Sequence, residues 1–294
     1  MVDVAQAGVP LQRPDVEYPL ADTAEIGEIT EDLGFWPRLY QHAAFRRVLV
    51  LVALAAAWEI YARHAANPLM FPSFFDTLAA WREDVMNGTL PLATWSSLRV
   101  LMIGYGIAVV LAAAATTLAI STWIGTDLLA TLTAMFNPLP AIAILPLALL
   151  WFGLGITSIV FVIVHSVLWA TSLNTFTGFL AVSQTQRMVG ANYGLRGLRL
   201  VARILIPAAF PSILAGLKIG WAFAWRTLIA AELVFGVSGS SAGLGWYIFQ
   251  NRNALETAHV FAGLLTVIII GLVVEGLVFR TIEMATVRRW GMQN

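Results

Sequence analysis

The amino-acid sequence predicts an all-α membrane protein, and three observations support that fold class. Charged residues make up only 12% of the 294 residues, whereas soluble domains carry about 25%. Mean hydropathy is +0.78. Long apolar segments recur along the chain, each close to the roughly 20 residues that a helix needs to cross a bilayer. We therefore expect six transmembrane helices, with an amphipathic surface helix and a short cytoplasmic helix between them.

Six segments meet the length that a membrane span requires. They lie at about residues 46–64, 96–120, 127–152, 156–181, 208–235 and 258–283. The third is interrupted by Asn137-Pro138-Leu139-Pro140 and by Pro146. Because proline breaks the helical hydrogen-bond ladder, lipid tolerates such a break only where protein or a cavity covers it. We expect the third span to face the interior of the bundle.

An acidic tail, residues 1–43, precedes the first span. Residues 1–32 hold eight acidic residues against the single Arg13. No apolar core follows a basic start, so the segment does not read as a cleavable signal peptide. We expect a solvated, partly disordered cytoplasmic tail, followed by a transmembrane domain at residues 44–290.

The placement of arginine predicts the orientation, because cytoplasmic loops carry an excess of basic residues. With six crossings, three basic groups fall on one side of the membrane: residues 38, 46 and 47, then 187, 196, 199 and 203, then 280, 288 and 289. The opposite side keeps Arg63, Arg82, Arg99 and Arg252. We expect both termini in the cytoplasm and the chain in a bacterial inner membrane.

An amphipathic helix is predicted between the first two spans. Ser73 is suited to cap the segment FFDTLAAWREDVMN, and Gly88 to end it. One helical face carries an apolar stripe of Phe74, Leu78, Trp81 and Val85. We expect this helix to lie along the outer membrane surface, packed over the mouth of the bundle.

Composition excludes several classes of function. The chain has no cysteine, and its four histidines are too scattered for a metal site. Lys218 is the only lysine and follows a leucine, so the Gly-Lys-Ser/Thr of a Walker A loop is absent. The 17 basic and 17 acidic residues balance, which argues against a nucleic-acid partner. We expect a non-enzymatic chain that binds no cofactor or metal and contacts membrane lipid.

The stretch GLRGLRLVARILIPAAFP, residues 194–211, lies between the fourth and fifth spans. Its arginines recur at helical spacing, opposite an apolar face of Leu195, Leu198, Val201, Ala202 and Leu205. The pattern predicts a short cytoplasmic helix with one basic face. One interpretation is an interfacial helix whose arginines meet anionic lipid.

The wider pattern resembles the cytoplasmic loop of ATP-binding-cassette (ABC) importer permeases. That loop reads Glu-Ala-Ala, three residues, Gly, nine residues, Ile-x-Leu-Pro; here Gly194 is followed after nine residues by Ile204-Leu205-Ile206-Pro207. The first positions read Met188-Val189-Gly190, so the acidic residue is missing. Residues 137–155 and 225–248 are similar to further stretches of the branch that transports sulfonates, taurine, nitrate or bicarbonate.

The resemblance implies a type I importer permease that acts as a homodimer with two separate ATPase subunits. A soluble periplasmic or lipoprotein binding protein would deliver a small anion, and ATP and Mg²⁺ would bind the ATPases. The loop at about 182–207 would hold a coupling helix seated on an ATPase. Glycines in this loop would let its backbone approach the ATPase closely, leucines would be buried against the ATPase, and arginines would pair with its acidic residues. The proline would set the angle at which the fifth span enters the membrane. The residues are Gly190, Gly194, Leu195, Arg196, Leu198, Arg199, Arg203 and Pro207.

Polar groups inside the spans are candidates for the transport pathway, because intramembrane charges face a cavity or a partner. Arg226 could meet an anionic substrate, a structural acid such as Glu275, or the neighbouring protomer. Glu232 is matched in the family, and a structural bond to the glycine-rich turn after it is the favoured interpretation. The remaining candidates, on the fourth span, are His165, Trp169 and Asn174, with an interhelical hydrogen bond as the alternative for the histidine.

Two other functions are weighed against the importer. An ion-gradient-driven secondary carrier commonly shows inverted repeats and paired discontinuous helices, but this sequence has one broken span and no repeat. An intramembrane enzyme needs a nucleophile, a catalytic dyad or a metal cluster, and no such constellation is present. The secondary carrier remains the principal alternative.

Overall fold

The computed structural model describes residues 42–235 and 242–289. The described residues are helical and contain no strand. Five helices are long and apolar enough to cross a membrane, and the number is six if a bent pair of helices counts as one span. The predicted all-α membrane fold is thus confirmed, whereas the acidic tail lies almost wholly outside the described residues. The chain divides into two compact units after Leu54, and the contacts below lie within the second unit.

Six spans and three shorter helices make up the described chain. The spans are Ala44–Ala65, Thr89–Ser121, the bent pair Trp123–Phe136 with Ala141–Phe152, Ile156–Ala181, Leu198–Val234 and Thr257–Arg288, named span one to span six below. The shorter helices are α1 (Phe74–Met86), α2 (Gln184–Asn192) and α3 (Leu244–Asn253). Spans two and five begin earlier than predicted, because the helix continues through polar residues beyond the apolar window.

Span three breaks where the prolines predict. Its two helices meet at an angle of 88° across residues 137–140, and a 3-10 turn, Ala141–Ile144, leads into the second helix. The predicted burial is only partly correct. One face is buried, through Leu129, Thr133, Leu145 and Ala148, but Leu128 is 50% and Leu150 is 79% exposed. The reason is that spans two and four cover a single side of the pair.

The centre of the second unit is formed by spans two, four and five. Small residues allow their backbones to approach closely, as is usual between membrane helices. A Cβ added at Gly104 of span two would lie 2.8 Å from Ile163 Cγ2, and one at Gly220 of span five would lie 2.6 Å from Thr171 Oγ1. Tyr105 adds a hydrogen bond across the helices, from its hydroxyl to the Leu217 carbonyl at 3.0 Å. This packing fixes the positions of the polar side chains on spans four and five.

Helix α1 begins as the sequence predicts. Ser73 accepts a hydrogen bond from the Asp76 amide at 3.0 Å in a reciprocal capping box. The predicted apolar stripe is only partly right, because Leu78 is 40% exposed. The face that is buried holds Thr77, Ala80 and Asp84, with Trp81 and Val85 packed beside it.

An aspartate can lie on the buried face of α1 because three side chains bond to it. Tyr247 donates its hydroxyl to Asp84 Oδ2, His259 Nδ1 lies 2.6 Å from the same oxygen, and Asn87 donates to Oδ1 at 3.1 Å. Burial raises the pKa of the Asp84 carboxyl, but these hydrogen bonds lower it by more, so the net pKa is below its usual range. The cluster of Asp84, Asn87, Tyr247 and His259 therefore ties α1 to α3 and to span six.

Candidate functional site

A cavity of about 280 Å³ lies beside the break in span three. Residues 136–141 form one wall, and span four contributes His165, Ser166 and Trp169. Span five contributes Phe223, Arg226 and Thr227. His165 lies about nine residues into span four, roughly 14 Å along the helix axis, so the cavity is near the middle of the span. We call it the central cavity.

Span four presents two nitrogen-bearing rings to the central cavity. The Trp169 indole stacks on Phe136 with ring centroids 5.1 Å apart and planes 18° apart, and His165 meets Phe136 edge-on at 5.9 Å. Both ring nitrogens of His165 and Trp169 Nε1 are buried, yet none has a hydrogen-bond partner in the described chain. Buried polar groups are nearly always paired, so three unpaired nitrogens in two neighbouring side chains distinguish this part of span four.

Arg226 brings a positive charge to the same cavity. Its Nε donates to the Ala222 carbonyl at 3.0 Å, and its Cζ lies 5.1 Å from the Phe223 ring centroid. No described carboxylate lies within 4.0 Å of its guanidinium. The suggested ion pair with Glu275 is therefore not formed, although both side chains line another cavity between spans five and six.

Lys218 is another cation of span five, and the sequence analysis considers it only as a possible Walker A lysine. Its Nζ lies 2.5 Å from Glu283 Oε2 of span six. Lys218 is thus neutralised within the chain, whereas Arg226, two turns further along the same helix, has no such partner among the described residues. The contrast marks Arg226 as the charge that is available to a solute.

Asn174, one of the predicted pathway residues, lies away from the central cavity. Asn174 donates to the Ala170 carbonyl at 2.8 Å, and its Cβ lies 2.8 Å from the position of a Cβ added at Gly216. It therefore packs between spans four and five. Sequence alone cannot separate it from His165, because both are polar side chains on a span without acidic residues, lysine or arginine.

Glu232 is 2% exposed and serves a structural purpose. Its carboxylate accepts hydrogen bonds from Ser97 Oγ and from the Gly245 amide, each at 2.8 Å. Gly245 lies in the first turn of α3, where amides lack intrahelical partners and an anion is stabilised. The favoured interpretation, a bond to the glycine-rich turn, is confirmed, and Glu232 does not line the central cavity.

The loop between spans four and five differs from its prediction. The separate helix is α2, upstream of the arginines, and Leu198 already belongs to span five. Helix α2 ends at Asn192. Gly194, just beyond the helix, has a φ of +73°, and the Leu195 amide donates to the Gly190 carbonyl at 3.0 Å. This is a Schellman turn. The sequence pattern places a separate helix at the arginines, but the glycines at 194 and 197 end the separate helix before them. From Leu198 onward the chain is continuous with span five.

The residues predicted to couple to an ATPase occupy distinct positions in this loop. Gly190 is buried, and a Cβ there would lie 2.7 Å from Leu200 Cδ1 of span five. Leu198 is 71% exposed and Leu195 is half-buried. Pro207 lies inside span five, after a π-helical stretch at Val201–Leu205. The arginines are all exposed: Arg196, Arg199 and Arg203.

Arg187 has a role that the sequence reasoning missed. Its side chain extends from α2 to the end of span four, where Nη2 donates to the Phe179 carbonyl and Nε donates to the Val182 carbonyl at 3.3 Å. Basic side chains commonly satisfy the last carbonyls of a helix. The sequence signal for this contact is a basic residue a few positions after the end of a predicted helix. Arg187 thereby fixes α2 against span four.

Comparison with known proteins supports a common family for this architecture. Residues 104–280 match the family described as "Binding-protein-dependent transport system inner membrane component". A Methanocaldococcus jannaschii protein named as an ABC transporter permease is 30% identical over 235 residues, 76% of this chain and 85% of the relative. The nitrate import permease protein of Synechocystis is 27% identical over 246 residues, 81% and 87% of the two chains.

A third relative is matched over a shorter region. The taurine transport system permease protein of Escherichia coli is 31% identical over 141 residues, which cover 48% of this chain and 50% of the relative. The family match itself includes spans four and five, the central cavity and the loop that contains α2. The chain therefore belongs to the binding-protein-dependent transport system inner membrane component family, as a multi-pass inner-membrane permease of type I ABC importers.

Proposed function

We propose that this chain forms the translocation pathway for a small anion and that Arg226 contacts the anion in the central cavity. The observation that carries the proposal is the guanidinium of Arg226, which has no described carboxylate within 4.0 Å and lines a cavity near the middle of the spans. An arginine in this position is costly without a negative partner. The relatives named for taurine and nitrate transport support an anion as that partner.

The central cavity offers more than charge. His165 and Trp169 line it with rings whose buried nitrogens have no described hydrogen-bond partner, and Ser166 and Thr227 add hydroxyl groups to its lining. The stacked rings of Phe136 and Trp169 provide an apolar wall. Such a mixture suits a solute with an anionic head and a small organic body, or a compact inorganic oxyanion.

The chain works with partners in this proposal. Two copies form the permease, two ATPase subunits bind ATP and Mg²⁺, and a soluble binding protein delivers the anion. This chain binds no cofactor or metal, and both its termini lie in the cytoplasm, where the arginine-rich loops are placed by the positive-inside rule.

The loop that holds α2 is the proposed contact with the ATPase. It exposes apolar side chains at the tip and along α2, which include Met188, Tyr193 and Leu198 at 57%, 82% and 71% exposure. Arg196 and Arg199 flank this surface and suit acidic partners. Because Gly190 packs closely on Leu200, movement of α2 is passed directly to span five.

Replacement of Arg226 tests the anion contact. We expect Arg226→Gln to lower uptake at least about tenfold, with an unchanged melting temperature and unchanged basal ATP hydrolysis, because the side chain has no structural ion pair. Arg226→Lys is the matched control and should retain part of the uptake. The measurement is ATP-dependent uptake of labelled taurine and nitrate by the assembled complex in proteoliposomes. Normal uptake by Arg226→Gln would rule out the contact, and uptake without ATP would favour the secondary carrier.

A further inference from the structure

A second and larger cavity, of about 700 Å³, lies at the far end of the spans from the loop that holds α2. The first residue of span four, Ile156, lines it, whereas His165 of the central cavity lies roughly 14 Å further along that helix. The other walls come from the start of span two and from α3. In the orientation proposed above, this is the outer end, so we call it the outer cavity.

One stripe of span two faces the outer cavity. Trp95, Ser96, Arg99 and Ile103 recur at three- and four-residue spacing and all line it. Ser97, on another side of the same helix, is instead buried and bonded to Glu232. Arg99 therefore faces away from that carboxylate, into the outer cavity.

Arg99 has no negative partner in the described chain. No carboxylate lies within 4.0 Å of its guanidinium, and its side chain makes no described hydrogen bond. The two buried acids at this end are bonded elsewhere, Glu232 by Ser97 and Gly245, and Asp84 by Tyr247 and His259. The positive charge at Arg99 is thus available to an occupant of the outer cavity.

The remaining lining suits a small organic or inorganic oxyanion. Gln250 of α3 and Ser96 provide donors that make no described side-chain hydrogen bond, and Trp246 provides an apolar wall, stacked on Phe249 at 5.3 Å. The first amides of α3 are not available, because Leu244 donates to Ser97 Oγ and Gly245 donates to Glu232. Recognition in this cavity must therefore come from side chains, with Arg99 as the charged one.

We propose that the outer cavity is a second anion site, in which Arg99 and Gln250 bind the oxyanion of the solute before it reaches Arg226 in the central cavity. This inference rests on the proposed function. The phosphate of a phospholipid presents the same chemistry to an arginine, and the experiment separates it from the solute. The solute is the favoured occupant because three separate segments of protein line the cavity and bring polar side chains to it.

The absence of cysteine from the chain permits a direct test. A Gln250→Cys variant of the assembled complex carries the permease's single thiol in the outer cavity. Its labelling by anionic sulfonatoethyl methanethiosulfonate is compared with labelling by cationic trimethylammonioethyl methanethiosulfonate. We expect the anion-to-cation rate ratio to fall on the order of tenfold when Arg99→Gln is added, and to be largely kept by Arg99→Lys. An unchanged ratio in Arg99→Gln would overturn the proposal. A Ser96→Cys variant provides a second reporter if Gln250→Cys assembles poorly.

Protection by solute identifies the occupant. Taurine or nitrate should slow labelling of Ser96→Cys, which keeps both Arg99 and Gln250, severalfold in nanodiscs of phosphatidylcholine and equally in nanodiscs that contain phosphatidylglycerol. If phosphatidylglycerol in the nanodisc slows labelling and neither solute does, the occupant of the cavity is lipid and the proposal is overturned. A parallel Ser166→Cys variant reports on the central cavity. Protection there but not at Ser96→Cys rejects the outer site alone, and protection at neither position rejects the proposed function as well.

Discussion

Glu232 and Arg226 lie six residues apart on span five, but their surroundings are opposite. Glu232 is 2% exposed and held by Ser97 and Gly245, whereas Arg226 has no described carboxylate partner and lines a cavity. Because charged residues are rare in a membrane span, the sequence alone identifies both as candidate functional residues. It could not assign their roles, because the partner that decides the role of Glu232, Ser97, is 135 residues distant in the chain.

The bonded carboxylate leads to a prediction about stability. Glu232→Ala should lower the melting temperature of the permease, because it leaves the Ser97 hydroxyl and the Gly245 amide buried without an acceptor, at about 1–3 kcal/mol for each group. Glu232→Gln keeps one acceptor oxygen and should have a smaller effect. Thermal denaturation of the two purified variants gives the comparison. Equal melting temperatures for Glu232→Ala and the parent chain would contradict the structural role.

At the scale of helices, periodicity and capping predicted most of the elements. The predictions were wrong where contacts between helices determine a helix position or its buried face. Ser73 and the prolines of span three marked α1 and the break correctly. Helix α2 was missed because its sequence, QTQRMVGAN, is short and mostly polar, and its position depends on contacts with span five at Gly190. The buried face of α1 was misjudged because Asp84 is buried by partners on α3 and span six, which local sequence does not display.

The loop between spans four and five carries a prediction about coupling. Leu198→Asp should leave insertion and melting temperature unchanged, since the side chain is 71% exposed, but should prevent stable binding of the ATPase. Co-purification of the ATPase and solute-stimulated ATP hydrolysis are the measurements. Leu69→Asp, at a residue 67% exposed before α1, is the matched control and should bind the ATPase normally. Undiminished transport by Leu198→Asp would show that this surface does not dock.

The cluster at Asp84 carries a prediction about pH. Because the folded-state pKa of Asp84 lies below the ordinary value of 3.8, the charged carboxylate stabilises the fold fully above about pH 4. That contribution is lost as pH falls through the lower folded pKa. Asp84→Asn should therefore lower the melting temperature near neutral pH, at a cost of about 1–3 kcal/mol, and the difference from the parent chain should shrink in acid. Glu83→Gln, at an exposed acid on the same helix, should show neither effect. A pH-independent difference would contradict the assignment.

For the whole molecule, the sequence was sufficient for the fold class, the number of spans and the family, because lipid imposes strict length and composition limits on a helix. The central cavity was predicted only in part. His165, Trp169 and Arg226 were identified as polar or aromatic residues in spans, but their meeting with residues 136–141 depends on an 88° bend. The angle of that bend arises from packing on spans two and four, which a one-dimensional pattern does not contain.

The acidic tail yields a prediction for the assembled transporter. Deletion of residues 1–32, which lack apolar periodicity, should preserve membrane insertion and assembly with the ATPase. Co-purification of the truncated chain with the ATPase subunit measures this directly. Failure of the truncated chain to assemble, while the full chain does so under the same conditions, would show that the tail is a structural part of the complex.

The π-helical stretch at Val201–Leu205 has a mechanical consequence for span five. There the Ile206 amide donates to the Val201 carbonyl, five residues back, so the stretch holds one residue more than the α-helical hydrogen-bond pattern admits. Relaxation of that extra residue into regular α-helix would rotate the first turn of span five by about 100° relative to the rest of the helix, at 3.6 residues per turn. Pro207, which has no amide hydrogen to donate, adjoins the stretch. Span five is therefore better suited to transmit a push along its axis than a rotation about it, because the stretch at Val201–Leu205 can absorb a rotation.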